Sequence, residues 1–345
     1  MEASSYRIGM RTKFYLFAFW GSLILLYGEV WTGSSALPPW FLEIDTYILF
    51  PITAFPLYLA HSLFYLNLAY KTKRFSIPHL YLWGMVFGLY ESWLTKILWI
   101  NPGQDFVIAG VNWTQTLILV FFWHPIFSFI MPILLFQIIF GNKNGKIFSV
   151  HHVFLKNTSR NKNILLIFVS VTGIFFSTIT LGGNLLFSIF SVIGNILIIL
   201  IFYKLLTRTV EKSNIGSISV ENLIISNRSF RFLTGYLIVL YIIDYFIYNY
   251  DAAPRRFGPY LQILIITAIL ILLIWLSPRN ETELIISEDL IPTKIIGIHW
   301  IVMLVGLIIS LIILPIVSIF GFIYYVLVLL TSFFLFLFAL KAILF

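Results

Sequence analysis

The chain has 345 residues, a net charge of +8 and no cysteine; 60% of its residues are hydrophobic and 10% are charged. An ordinary soluble domain carries about 25% charged residues, so this composition excludes a soluble globular protein and calls for a polytopic membrane bundle. The missing cysteine excludes a disulfide framework, a thiol nucleophile and a cysteine metal site.

A spanning helix needs about 20 mostly apolar residues, and by that rule the chain reads as an all-α bundle of about ten transmembrane helices in a single domain. In chain order the spans fall at 14–31, 47–70, 80–100, 114–140, 164–181, 185–206, 230–250, 258–276, 295–315 and 316–345. The first follows a basic start, Arg7, Arg11 and Lys13, and precedes Ser34-Ser35-Ala36, a passable signal cleavage pattern. Its apolar run is longer than a usual signal core, so a retained helix is expected. Gly182-Gly183-Asn184 divides the fifth span from the sixth, and Pro315 divides the ninth from the tenth. Both breaks are read as tight hairpins, with a kinked, extra-long helix as the alternative at Pro315.

The loops set the orientation. Lys and Arg gather at the N-terminus and in alternate loops: Lys71, Lys73 and Arg74, then Lys143 to Lys162, then Arg208, Lys212 and Arg228. The loops between carry Glu43, Asp45 and Asp105. The positive-inside rule then places both termini in the cytoplasm, with the cell membrane as the expected location. Basic loops of this kind meet anionic lipid, and no nucleic-acid partner is implied. Asp251 to Arg256 breaks the pattern, with two arginines on the outer side. Arg255 and Arg256 are candidates for an anion-binding rim, because the guanidinium fork matches phosphate and carboxylate. Trp31, Trp40, Tyr47, Trp99, Trp113, Tyr248 and Tyr250 are placed at headgroup depth at the outer boundary. Asn112-Trp113-Thr114 is a glycosylation sequon against the membrane. The inner loops share a weak echo, Glu221 to Ser226 and Glu283 to Ser287, readable as short strands or interfacial turns.

Ionisable groups inside hydrocarbon are expensive, and each marks a candidate site. At a rise of 1.5 Å per residue, Glu91, His124 and Asn195 all lie roughly 15 Å deep, on three different spans. Asp244 and Glu29 lie above them. A carboxylate beside a histidine can share a proton and activate water, and an asparagine amide can face a developing oxyanion. A catalytic zinc wants three protein ligands, and only Glu91 and His124 are available at this level, so no metal or cofactor is expected. Structural readings stand beside these. His124 precedes Pro125, whose missing N–H leaves a carbonyl that an imidazole could satisfy. Lys96 can snorkel to the outer interface or bind substrate. His61 suits a bridge between helices, and His299 a place in water near the inner boundary.

Glu91-Ser92-Trp93-Leu94-Thr95-Lys96 resembles a degraded Glu-Glu-x-x-x-Arg motif of the CAAX-protease and bacteriocin-processing family of intramembrane hydrolases. That family continues with Phe-x-x-x-His, matched here by Val120 and His124, and with His-x-x-x-Asn or His-x-x-x-Asp, matched by Ser191 and Asn195. The resemblance implies that Glu91 and His124 activate water and that Asn195 holds the oxyanion. Ser92, Lys96, Val120 and Ser191 depart from the pattern. A metal-independent hydrolase of a peptide or lipid-linked bond is therefore the first reading. The second is a proton-coupled transporter of an anionic or lipid-like solute, using Glu91, His124, Asp244, Arg255 and Arg256. The third is a scaffold or lipid-binding subunit whose polar layer only fastens helices.

Overall fold

The computed structural model describes residues 8–31, 54–94, 106–141, 146–148, 152–180, 185–213, 217–243, 254–280, 284–286, 289–312 and 314–344. The helices are α1 (Met10–Val30), α2 (Ala54–Lys71), α3 (Ile77–Leu94), α4 (Trp113–Gly141), the short α5 (His152–Leu155), α6 (Ser159–Thr180), α7 (Leu185–Lys212), α8 (Asn227–Ile243), α9 (Phe257–Leu276), α10 (Lys294–Ile312) and α11 (Leu314–Leu344). A helix stands at the place of each predicted span. Among the described residues α1, α4, α9 and the windows Ile189–Lys212 and Val326–Ile343 are long and apolar enough to cross a membrane. Pro315 is the second residue of α11, where a missing N–H leaves no helical bond unmade. The break at Gly182 and Gly183 lies outside the described residues.

Two small antiparallel sheets correct the purely helical expectation. Strands β1 (Val107–Ile108) and β2 (Val111–Asn112) form one, and β3 (Lys146–Phe148) and β4 (Leu284–Ile286) the other. β4 makes one half of the weak loop echo a strand, while the other half is a 3₁₀ turn, Val220–Leu223.

The chain divides into two compact units. The first comprises residues 1–55, 132–224 and 283–317. Here α1 packs on α7 and α6 packs on α10. Phe19 lies against Phe136, Phe140 and Tyr203, which gives α1 an aromatic seam. The Trp300 indole donates to the Tyr27 hydroxyl at 3.1 Å. Trp31 does not face headgroups as its position suggested: it is buried with its ring edge-on to Tyr27. His299 does not meet water either. It is buried, and neither ring nitrogen has a hydrogen-bond partner among the described residues.

The second unit comprises residues 56–131, 225–282 and 318–345. Its ruler is α9, whose 20 residues span about 30 Å, the thickness of the hydrocarbon core. At the N-terminal end of α9 sits the β1–β2 hairpin. Its two-residue turn uses Ala109 and Gly110, both at positive φ (46° and 85°), as a tight hairpin requires. The Gln262 amide donates to the Ile108 carbonyl at 2.7 Å and accepts from the Trp113 indole at 3.0 Å. At the C-terminal end of α9 sits the basic turn after α2. Arg74 donates to the Trp275 carbonyl, His79 meets the Ser277 hydroxyl at 2.7 Å, and the Asn280 side chain accepts from the backbone N–H groups of Phe75 and Ser76. Hairpin and basic turn thus lie a membrane thickness apart. The outward faces of α9 and α11 carry exposed Leu264, Ile265, Leu272, Leu330, Phe334 and Phe338, a surface suited to lipid rather than water.

Asn112 fails the sequon reading. It is buried, and its side chain caps the start of α4 by accepting from the Gln115 N–H at 3.0 Å.

Candidate functional site

The site begins with two glycines. Gly84, Gly88 and Glu91 project from α3 within about 60° of one another, because spacings of four and three residues bring a helix back to one face. A Cβ at Gly84 would lie 2.5 Å from the Cα of Pro125, and one at Gly88 would lie 2.7 Å from the Cβ of His124. The small-x-x-x-small pattern therefore lets α4 approach α3 nearly to backbone contact.

The partner stretch of α4 is wound as a π-helix, Thr116–Ile130, with Pro125 inside it. Such winding is usually confined to single turns and tends to occur at functional sites. Pro125 has no N–H, so in the five-residue π register the carbonyl left without its helical partner is that of Val120. The next carbonyl, that of Phe121, accepts from the Tyr81 hydroxyl on α3 at 2.5 Å. The imidazole of His124 faces neither carbonyl: its two nitrogens meet Glu91 and Ser128.

His124 turns to Glu91. Its Nε2 lies 2.9 Å from Glu91 Oε2, with both side chains only 3% exposed. The Tyr58 hydroxyl of α2 donates to Glu91 Oε1 at 3.3 Å, and the neighbouring Ser92 hydroxyl donates to Oε2 at 3.3 Å. On its far side His124 Nδ1 lies 3.0 Å from Ser128 Oγ, one turn along α4. When Nε2 carries the proton toward the carboxylate, Nδ1 is left as an acceptor for a hydroxyl. Serine, imidazole and carboxylate therefore stand in one line, the order in which a base is oriented and a nucleophile activated.

His61 stands next to this line. Its Nδ1 contacts the Leu57 carbonyl at 2.7 Å and its Nε2 the Tyr241 hydroxyl at 2.7 Å, a bridge from α2 to α8. The Phe87 ring lies 5.7 Å from the His61 ring and 5.6 Å from that of His124.

The sequence-derived set divides as follows. Glu91 and His124 meet. Asn195 belongs to α7 in the first unit, buried, with neither amide atom bonded to a described residue. Arg255 and Arg256 are exposed just before α9. Lys96 and Asp244 lie outside the described residues. Among the described residues no group of three His, Asp or Glu converges as a metal site would require. Sequence reasoning missed Tyr58, Ser128 and the glycine pair. The spacing of His124 and Ser128, and the Gly84-x-x-x-Gly88 pattern, were visible signals; nothing in the sequence marked Tyr58.

A helical membrane protein with a Glu–His pair buried between closely packed helices is the class that fold and site define. The chain belongs to an uncharacterized membrane protein family, which matches residues 18–345. A relative from Archaeoglobus fulgidus, described as an uncharacterized protein, is 33% identical over 206 residues, covering 57% of this chain and 59% of the relative. The chain thus matches less than two thirds of that relative's length. No solved structure matches. The family match does not tie the chain to the CAAX-protease and bacteriocin-processing family that its motifs resemble.

Proposed function

We propose that the protein is an intramembrane hydrolase that cleaves a lipid-linked bond without a metal, with Glu91 and His124 as its proton-transfer centre. One observation carries the reading: a carboxylate and an imidazole held 2.9 Å apart, both buried, on apolar helices. Intramembrane ionisable groups are rare and mark functional sites by default. His124, oriented by Glu91, takes a proton from water as the water oxygen bonds to the carbonyl carbon. The tetrahedral intermediate then collapses, the bond to the leaving oxygen breaks, and His124 returns the proton to the leaving alcohol. Tyr58 holds the carboxylate at a fixed angle to the ring.

A second reading is favoured by the 3.0 Å contact of Ser128 with His124. There the serine oxygen attacks, an acyl-serine forms, and water resolves it in a second step. Trapping with a fluorophosphonate tests this directly, because only the serine route leaves a covalent adduct on Ser128.

The topology proposed with this function keeps about ten spans, both termini in the cytoplasm and the cell membrane as location. The test of function is release of fatty acid from a fluorogenic long-chain ester by the purified protein in vesicles. Loss of release in Glu91→Gln with retained folding supports the hydrolase. Retained substrate binding with lost uptake points to a proton-coupled transporter, and an unaffected Gln variant points to a scaffold.

A further inference from the structure

The second unit contains a cavity of about 640 Å³ between α2, α3, α8 and α9. Pockets that hold small ligands typically measure about 300–1,000 Å³. Its lining is aromatic and aliphatic, led by Tyr65, Trp83, Tyr90, Trp93 and Tyr241, and no Lys, Arg, Asp or Glu lines it. A phosphate or a free carboxylate would find no countercharge there. Yet the cavity is not purely apolar. Trp83 and Thr267 both line it; the indole N–H of the first and the hydroxyl of the second are buried, and neither has a hydrogen-bond partner among the described residues. Buried donors are almost always paired, so two orphan donors on one cavity call for an acceptor delivered by a ligand. The His61–Tyr241 bridge forms part of the same wall, and the Phe87 ring stacks on His61 and lies beside His124. The rings of His61 and Phe87 stand between the cavity and His124.

We propose that this cavity binds a neutral long-chain lipid ester, its hydrocarbon against the aromatic lining and its carbonyl oxygen accepting from Trp83 and Thr267. Binding stands on the cavity alone; naming the ligand as the substrate rests on the hydrolase reading. The probe is a diazirine-bearing monoacylglycerol, cross-linked to the full-length protein in maltoside detergent and mapped by mass spectrometry, with the matching diazirine fatty acid as anionic control. The ester should label segments 83–93 and 234–242, unlabelled monoacylglycerol should compete, and the fatty acid should label far less. Trp83→Phe removes one donor and should weaken labelling about fivefold. Thr234→Phe fills the cavity and should abolish labelling; Trp83→Phe keeps the ring, so it carries the test if the bulkier variant does not fold. Glu91→Gln, which on the hydrolase reading does not turn the probe over, should label at least as strongly as the wild type, so failure of the chemistry with labelling intact is distinct from failure of binding. Labelling spread over the outward faces of α9 and α11 and unchanged in Trp83→Phe, or equal labelling by ester and acid, would overturn the proposal.

Discussion

Gly88 and His124 occupy each other's space: a Cβ on the glycine would lie 2.7 Å from the Cβ of the histidine. The absence of a side chain on α3 is what allows His124 to stand one turn below Glu91 and reach it at 2.9 Å.

Gly88→Ala should therefore push α4 away. Overpacking of a tight contact is destabilising by about 1–3 kcal/mol, so a drop in melting temperature is expected together with loss of activity. Gly235, where a Cβ would meet nothing within 4 Å, is the control: Gly235→Ala should leave stability unchanged or raise it slightly. Equal melting temperatures for Gly88→Ala and wild type would mean that the close approach is not built as described.

Ser128→Ala separates the two chemical routes. If water attacks, the variant loses one hydrogen bond to His124, about 1 kcal/mol, and turnover should fall by less than about tenfold. If the serine attacks, turnover should fall on the order of 10⁶-fold, as in enzymes that lose a nucleophile. The water route is the one predicted, read from single-turnover rates and from the absence of a fluorophosphonate adduct.

Asn195→Leu addresses the third residue of the sequence-derived site. Both amide atoms are buried without a described partner, and leaving such a group unsatisfied costs about 1–3 kcal/mol, so leucine should raise the melting temperature. Turnover measured on the same sample decides its role. A stabilised, inactive variant would keep Asn195 as an oxyanion donor, and a stabilised, active one would remove it.

α9 joins the β1–β2 hairpin at one end to the Arg74 turn at the other, and the proposed orientation puts the hairpin outside and the basic turn inside. In this cysteine-free chain, Ile108→Cys should react with an impermeant maleimide from outside intact cells, and Lys73→Cys only after permeabilisation. The reverse pattern would invert the topology.

How much of this was legible in the sequence depends on which direction is asked about. Position along the membrane normal is written in the chain, because each residue adds a fixed rise. That is why the predicted spans have helices at their places, and why Glu91 and His124 could be paired from depth. Position around the bundle is not written. Depth placed Trp31 and His299 at wet boundaries, yet neighbouring helices bury both. Asn112 read as a sequon against the membrane, but it is buried and its side chain is spent on the local cap of α4. The Tyr81 hydroxyl on the Phe121 carbonyl was equally hidden. Pro125 announces that a carbonyl is freed, but neither the π winding that moves the loss to Val120 nor the packing that brings Tyr81 to Phe121 is written in the sequence.

The central claim is that the Glu91–His124 pair moves a proton during bond cleavage, and Glu91→Gln tests it most directly. Glutamine keeps the shape and can still bond to Tyr58 and His124, but it cannot carry the charge that stabilises a protonated imidazole. The measurement is the initial rate of fatty-acid release from a fluorogenic long-chain ester in vesicles, beside the melting temperature of the same preparation. The account predicts release by the wild type, a rate at least about 10²-fold lower in the variant, and a folded variant. Equal rates in the two proteins, or a folded wild type that releases no fatty acid, would contradict it.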